Sequence, residues 1–269
     1  MRIHIISDME GVAGIANATQ TNAGEPLYEE GRKLYTEEIN AAIRGAFSAG
    51  ATDVCVMDHH GAGGGFSFNS LVADLLDPRC EYVVQEEWTS YTGFLEEGCD
   101  ACLLVGMHAM AGTSDGVLNH TVSGMAWQNL WFNETLVGET GINAAFVGSF
   151  GAPIALVTGD EASCREATAL LGDGVRTVPV KWGISTRGAR MIPPVRAREL
   201  IEEGAKQSLA DLGDLKPWDP GKPSEIKVEF KNTTDPAKLA SRQGVEQIEP
   251  RTIVSRADDW WTAWRQFFF

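Results

Sequence analysis

Four apolar runs, rich in β-branched residues, recur along this chain, and each closes on side chains able to ligate a metal. They are Met1–Ile6 before Ser7-Asp8-Met9-Glu10-Gly11, Thr52–Met57 before Asp58-His59-His60-Gly61, Ala101–Met107 before His108, and Ala152–Thr158 before Gly159-Asp160-Glu161. Short continuous runs of this kind read as buried strands. Between the first two, Tyr35, Ile39, Ile43 and Phe47 recur at a spacing of four, which predicts a helix from Tyr28 to Ala49 that Gly50 stops. Strand, helix and parallel strand in succession predict an α/β fold, with a mostly parallel sheet and flanking helices in the N-terminal part. In such a sheet the carboxyl ends of the strands lie side by side and form the ligand crevice.

The remaining chain is read in the same way. Leu130–Val137 predicts a hairpin turning at Asn133-Glu134, and Gly138-Glu139-Thr140-Gly141 opens a helix to about Ser149. A helix over Glu161–Leu171 and a strand over Val175–Val180 follow. Val12–Pro26 reads as a long loop, and Ser70–Leu76 as a weak helix. Gly61–Gly65 lacks both a following Lys-Ser/Thr and GxGxxG spacing, so it reads as a flexible loop rather than a phosphate cradle. From about Pro193 the pattern changes to a helix (Val195–Ala210), a proline-rich connector (residues 212–221), a strand (Glu225–Lys231), a short helix (Asp235–Ser241), a strand (Thr252–Ser255) and a terminal helix (Asp258–Phe269). Two domains are therefore expected: residues 1–192, α/β and metal-binding, and a smaller α+β unit over residues 193–269. The aromatic terminus Trp260-Trp261, Trp264 and Phe267-Phe268-Phe269 suits core packing or an oligomer contact.

A net charge of −15 argues against a nucleic-acid partner, because a phosphate backbone needs Lys and Arg to displace its counterions. It also disfavours anionic membranes, and no apolar run approaches the length of a membrane span. A cytoplasmic protein is expected. Five cysteines, Cys55, Cys80, Cys99, Cys102 and Cys164, are an odd and scattered set, not a disulfide framework. Cys99-Asp100-Ala101-Cys102 lacks the second pair that a structural zinc site needs and reads as two core or rim thiols.

Taken alone, Asp8-Met9-Glu10 is either a solvated acidic turn or half of a metal site. In an extended chain the two carboxylates point to one side, where they repel unless a cation compensates them. Glu139 has its own simpler account in the helix dipole. The recurrence decides between them: His59, His60, His108 and His120 lie at or just beyond strand ends in the same half of the chain. With Asp8, Glu10 and Glu139 these groups suffice for two divalent ions, and carboxylate with imidazole suits zinc, manganese or cobalt. Adjacent side chains diverge, so only one of His59 and His60 is expected to face a common site. Paired ions of this kind serve hydrolysis, most naturally of an amide. The competing classes are a metallophosphoesterase, disfavoured because no Arg or Lys falls in the site segments, and a non-catalytic metal- or nucleotide-binding module.

Ser7-Asp8-Met9-Glu10-Gly11, Asp58-His59-His60, Gly106-Met107-His108-Ala109, Asn119-His120 and Val137-Gly138-Glu139-Thr140-Gly141-Ile142-Asn143, in this order, resemble the dinuclear zinc D-aminopeptidases of the DppA type. The resemblance covers most of residues 1–160 and extends more loosely to the end. It implies that Asp8 bridges two zinc ions, that Glu10 and His60 complete one ion's protein ligands and His108 and Glu139 the other's, and that His120 is the catalytic histidine. It also implies a small peptide or amide substrate and a homo-oligomer, a decameric ring with its sites facing an inner channel. His59 departs from the pattern, standing where the family often has a small residue. The Gly63-Gly64-Gly65 loop is richer in glycine than the family pattern.

Overall fold

The structure, a computed structural model, describes residues 1–86, 88–213 and 215–269. Asp214, in the expected connector, lies outside them. The first apolar run forms β1 (Arg2–Ser7), and the short helix α1 (Ala18–Thr21) interrupts the expected loop before α2 (Tyr28–Ser48). There follow β2 (Asp53–Asp58), β3 (Glu81–Val83), α3 (Gly93–Glu96), β4 (Ala101–Met107), β5 (Trp127–Phe132), β6 (Thr135–Val137), α4 (Glu139–Gly148), β7 (Ile154–Asp160) and α5 (Glu161–Leu171). The chain ends with β8 (Arg176–Ser185), β9 (Gly188–Met191), α6 (Pro194–Ala210), β10 (Ser224–Phe230), α7 (Thr234–Leu239), β11 (Val245–Glu249), β12 (Thr252–Ala257) and α8 (Trp260–Phe268).

Seven strands form one sheet in the order β3-β2-β1-β4-β7-β8-β9, parallel except for the β8–β9 hairpin. The chain leaves β1 toward β2 and β3, then returns to β4 on the other side. The strand order thus reverses between β1 and β4, and the crevice of an open α/β sheet opens at such a point. Asp8 follows β1 and His108 follows β4. The mostly parallel sheet with flanking helices is the expected fold class.

Period two along the strands divides the core between the two faces. Ile3, Ile5, Leu103 and Val105 pack with Tyr35, Ile39 and Ile43 of α2 and Ala197, Ile201 and Ala205 of α6. Ile6, Cys102 and Leu104 face the opposite way, toward α4, α8 and the second sheet. That sheet is antiparallel, with the order β11-β12-β10-β5-β6. The boundary expected at residues 192/193 is crossed in both directions: β5 and β6 join the C-terminal strands, while α6 packs on α2. The hairpin turns at Asn133, whose φ is +53°, as its sequence leads one to expect. The Ser70–Leu76 helix shrinks to a single 3₁₀ turn at Ala73–Leu75. Among the described residues no helix is long and apolar enough to cross a membrane.

Two glycines let the site's backbone close. Gly106 bulges the end of β4 at φ +77°, and its carbonyl accepts the Gly11 N–H at 2.7 Å. A Cβ on Gly106 would overlap the Asp8 carbonyl, and one on Gly11 would overlap the Gly106 and Met107 carbonyls. Backbone cannot yield as a side chain can. Gly11→Ala is therefore expected to cost about 3 kcal/mol of stability, read as a lowered denaturant midpoint with an unchanged slope.

Candidate metal centre

The ends of β1, β2 and β4 deliver their ligand-type side chains to one place, whereas Asp160 at the end of β7 accepts the Val117 N–H instead. Asp8 is fixed beyond β1 by its N–H, which donates to the Val105 carbonyl at 2.8 Å, and its Oδ1 accepts the Met9 N–H at 2.7 Å. His60 follows β2 in a turn organised by Asp58. Asp58 Oδ1 accepts from the His60 N–H at 2.9 Å and from the Tyr35 hydroxyl at 2.8 Å, while Oδ2 accepts the Ser70 N–H. Glu139 is the first residue of α4, and its Oε1 accepts the Val122 N–H at 2.8 Å. Asp8, Glu10, His60 and His108 are all buried.

The three histidines of the cluster share one device. His60 Nε2 lies 2.8 Å from the Thr21 carbonyl, His108 Nδ1 lies 2.9 Å from the Ala109 carbonyl, and His120 Nδ1 lies 2.9 Å from the Leu118 carbonyl. A carbonyl only accepts, so each of those nitrogens carries the proton, and in the neutral ring that a metal would select the opposite nitrogen presents a lone pair. The lone pairs converge on the carboxylates. His60 Nδ1 is 3.1 Å from Glu10 Oε2 and 3.4 Å from Asp8 Oδ1, and His108 Nε2 is 3.1 Å from Asp8 Oδ2 and 3.3 Å from Glu139 Oε1. His120 stacks on His108 with ring centres 4.1 Å apart, and its Nε2 stands 3.7 Å from Glu139 Oε1.

Despite these distances, Asp8 Oδ2, Glu10 Oε2 and His108 Nε2 are buried without a hydrogen-bond partner. Buried acceptors left unpaired cost free energy, and a divalent cation satisfies them together. Ligand atoms of Asp8, Glu10 and His108 lie within 4.8 Å of one another, as do those of His108, His120 and Glu139. The donor set thus fits metal ions on its chemistry and its geometry. Without a cation, protons must compensate the carboxylates. Burial pulls His60 and His108 down, but Glu10 and Asp8 around His60, and Glu139 and Asp8 around His108, outweigh it and hold both well above the usual histidine value. Burial likewise raises Asp8 and Glu139, yet His108 and His60 drive Asp8 well below its ordinary range, and His108 lowers Glu139.

His59 takes the other side. Its Nδ1 lies 2.9 Å from Asn143 Oδ1 and its ring lies tilted against Trp88 with centres 4.4 Å apart, so it lines the cleft wall while only His60 of the pair meets the carboxylates. Burial pushes His59 down to about 4, which keeps it neutral. The fifth histidine, His4, is buried away from the cluster against Phe94, as a packing residue.

A small cleft of about 80 Å³ opens over the cluster, with room for a reacting group rather than for a whole ligand. Besides the polar residues, Phe68, Trp88, Val122 and Phe268 line it. Sequence reasoning found none of these four as site residues. Phe268 reaches the cleft because α8 packs through Trp260, Trp264 and Phe267 into the core, a long-range placement that no local pattern reports.

Comparison with known proteins gives a consistent picture. A family model described as D-aminopeptidase (peptidase M55) matches residues 1–269. A D-aminopeptidase of Bacillus subtilis (strain 168) is 31% identical over 233 residues, covering 86% of this chain and 82% of that protein. A solved structure described as the Zn-dependent D-aminopeptidase DppA from Bacillus subtilis, a self-compartmentalizing protease, is similar at a TM-score of 0.88. It is 29% identical, and the match covers 99% of this chain and 95% of that one.

Proposed function

This chain belongs to the D-aminopeptidase family, and from that membership we propose how its own residues carry out zinc-dependent aminopeptidase hydrolysis of peptides. Asp8 would be shared between two zinc ions, with Glu10 and His60 completing the protein ligands of one and His108 and Glu139 those of the other. The convergence of histidine lone pairs on orphaned, buried carboxylate oxygens carries this assignment. When bound, such ions polarise a carbonyl and lower the pKa of water.

The chain's remaining tasks are orientation and proton transfer. The Thr21 and Ala109 carbonyls hold the His60 and His108 rings in the tautomers that leave a lone pair facing inward. His120 is the catalytic histidine. Its Nδ1–H is tied to Leu118, so Nε2 is free to take a proton from water as the water oxygen attacks the scissile carbonyl carbon. The same nitrogen returns that proton to the amide nitrogen as the C–N bond breaks. Membership of the D-aminopeptidase family supports short peptides or aminoacyl amides as substrates. Resemblance to a self-compartmentalizing protease supports a closed homo-oligomer, a decameric ring with sites facing its channel. Net charge and five unpaired cysteines support a cytoplasmic location. The metallophosphoesterase alternative finds no support, since among the described residues no Arg or Lys lines the cleft.

A panel of D- and L-aminoacyl amides and dipeptides, assayed after chelation and again after zinc is restored, tests this function. Zinc-dependent release of the N-terminal residue, faster for D- than for L-substrates, is expected, with no cleavage of a generic phosphoester. Phosphoester cleavage without amide cleavage would overturn it.

A further inference from the structure

We infer that Lys181 is a positioning residue for the ion assigned above to Glu10 and His60, acting through the main chain of Glu10; this rests on that ligand assignment. Lys181 sits on β8, separated from β1 by β4 and β7, and is completely buried. Its Nζ donates to the Glu10 carbonyl, to the Val12 carbonyl at 3.0 Å and to the Ile15 carbonyl at 2.7 Å. An ammonium has three donors, and all three are spent on one loop. Among the described residues no carboxylate oxygen lies within ion-pair distance of it. The nearby acids are engaged elsewhere: Asp160 Oδ2 accepts the Val117 N–H at 2.6 Å, and Glu38 Oε1 accepts the Ala13 N–H at 2.8 Å.

A buried lysine is costly unless something specific needs it. Here the carbonyls of Glu10, Val12 and Ile15 point at one centre, with Val12 also accepting the Ile15 N–H at 3.2 Å, and the loop from Glu10 to Ile15 is wound around it. Glu38 pins the same loop from α2, and the Gly11 N–H pins it to Gly106. Glu10 Oε2 is buried without a hydrogen-bond partner, 3.1 Å from His60 Nδ1, and the point from which this side chain reaches the cluster is set by its backbone. That backbone is what Lys181 fixes.

Two effects of removing the ammonium oppose each other, and this gives the test its sign. A positive charge near two dications repels them, so by Coulomb's law alone its loss would tighten metal binding. Loss of positioning would loosen it, and groups that orient metal ligands typically change affinity about 10–100-fold. The loosening should fall on one ion, because His108 and Glu139 hang from β4 and α4 and make no contact with this loop through Lys181.

The experiment is cobalt and zinc titration of the intact protein, comparing wild type with Lys181→Met and Lys181→Gln; the glutamine amide keeps donors, so that variant carries the test where methionine prevents folding. Expected are two ions per chain in the wild type, and in the variants one ion unchanged and the other about 10–100-fold weaker. The residual cobalt spectrum should match that of His60→Ala rather than His108→Ala. Unchanged or tighter binding of both ions, or equal loss of both, would overturn the positioning role. A wild type that binds no ions would instead refute the ligand assignment, and this inference with it.

Discussion

Asp8→Ala is expected to strip the protein of both metal ions and to lower turnover by about 10³-fold or more, the loss that follows from several kcal/mol of metal-derived transition-state stabilisation. The two oxygens of Asp8 face different histidines, Oδ1 toward His60 Nδ1 at 3.4 Å and Oδ2 toward His108 Nε2 at 3.1 Å. No other carboxylate in the cluster lies against both rings. Within 4 Å Glu10 meets only the His60 ring, although an oxygen of Glu10 also lies within 4.8 Å of a His108 nitrogen, and Glu139 meets only His108 and His120. Asp8→Asn, which keeps the shape and removes the charge, should behave almost as badly, because two dications held by three carboxylates depend on every negative charge. Elemental analysis of the purified variants checks this, and retention of both ions in Asp8→Ala would refute the bridging role.

His120→Ala should separate chemistry from binding. Turnover is expected to fall about 10²–10⁴-fold, the range of general acid–base catalysis, while metal content stays near the wild-type value. The geometry sets this apart from the other histidines: the His120 side chain is 22% exposed against 1% for His108 and 3% for His60, and its Nε2 is the most distant from a carboxylate. His120 nevertheless lies close enough to His108 and Glu139 to join their ion. The variant decides between the roles, since loss of one ion from His120→Ala would make it a ligand rather than the proton carrier.

Much of this arrangement was legible because it follows from local pattern. Ile3–Ile6 and Leu103–Val105 announce strands by being apolar on both faces, and the residues just past them, Asp8 and His108, inherit a place at the sheet's crevice. His60 and His59 were separable in principle, since neighbours diverge, but which of them turns inward depends on Asp58, Ser70 and Thr21. Lys181 was invisible for a physical reason. A lysine after Val180 looks like the polar end of a strand, whereas β8 runs on to Ser185 and the charge is buried by carbonyls supplied more than 160 residues earlier. The partition into consecutive domains did not anticipate that the β5–β6 hairpin joins a sheet with C-terminal strands, through the pairing of β5 with the far downstream β10. β11 went unnoticed because it is a mostly exposed edge strand with little apolar alternation to read. Trp88 and Phe268 became cleft walls only through packing of α8, with ring centres 4.9 Å apart.

The central claim is that this cluster is a two-ion centre. Elemental analysis of the purified, exhaustively dialysed wild-type protein tests it most directly. The account predicts close to two transition-metal ions per chain, zinc foremost; one ion or none would contradict it.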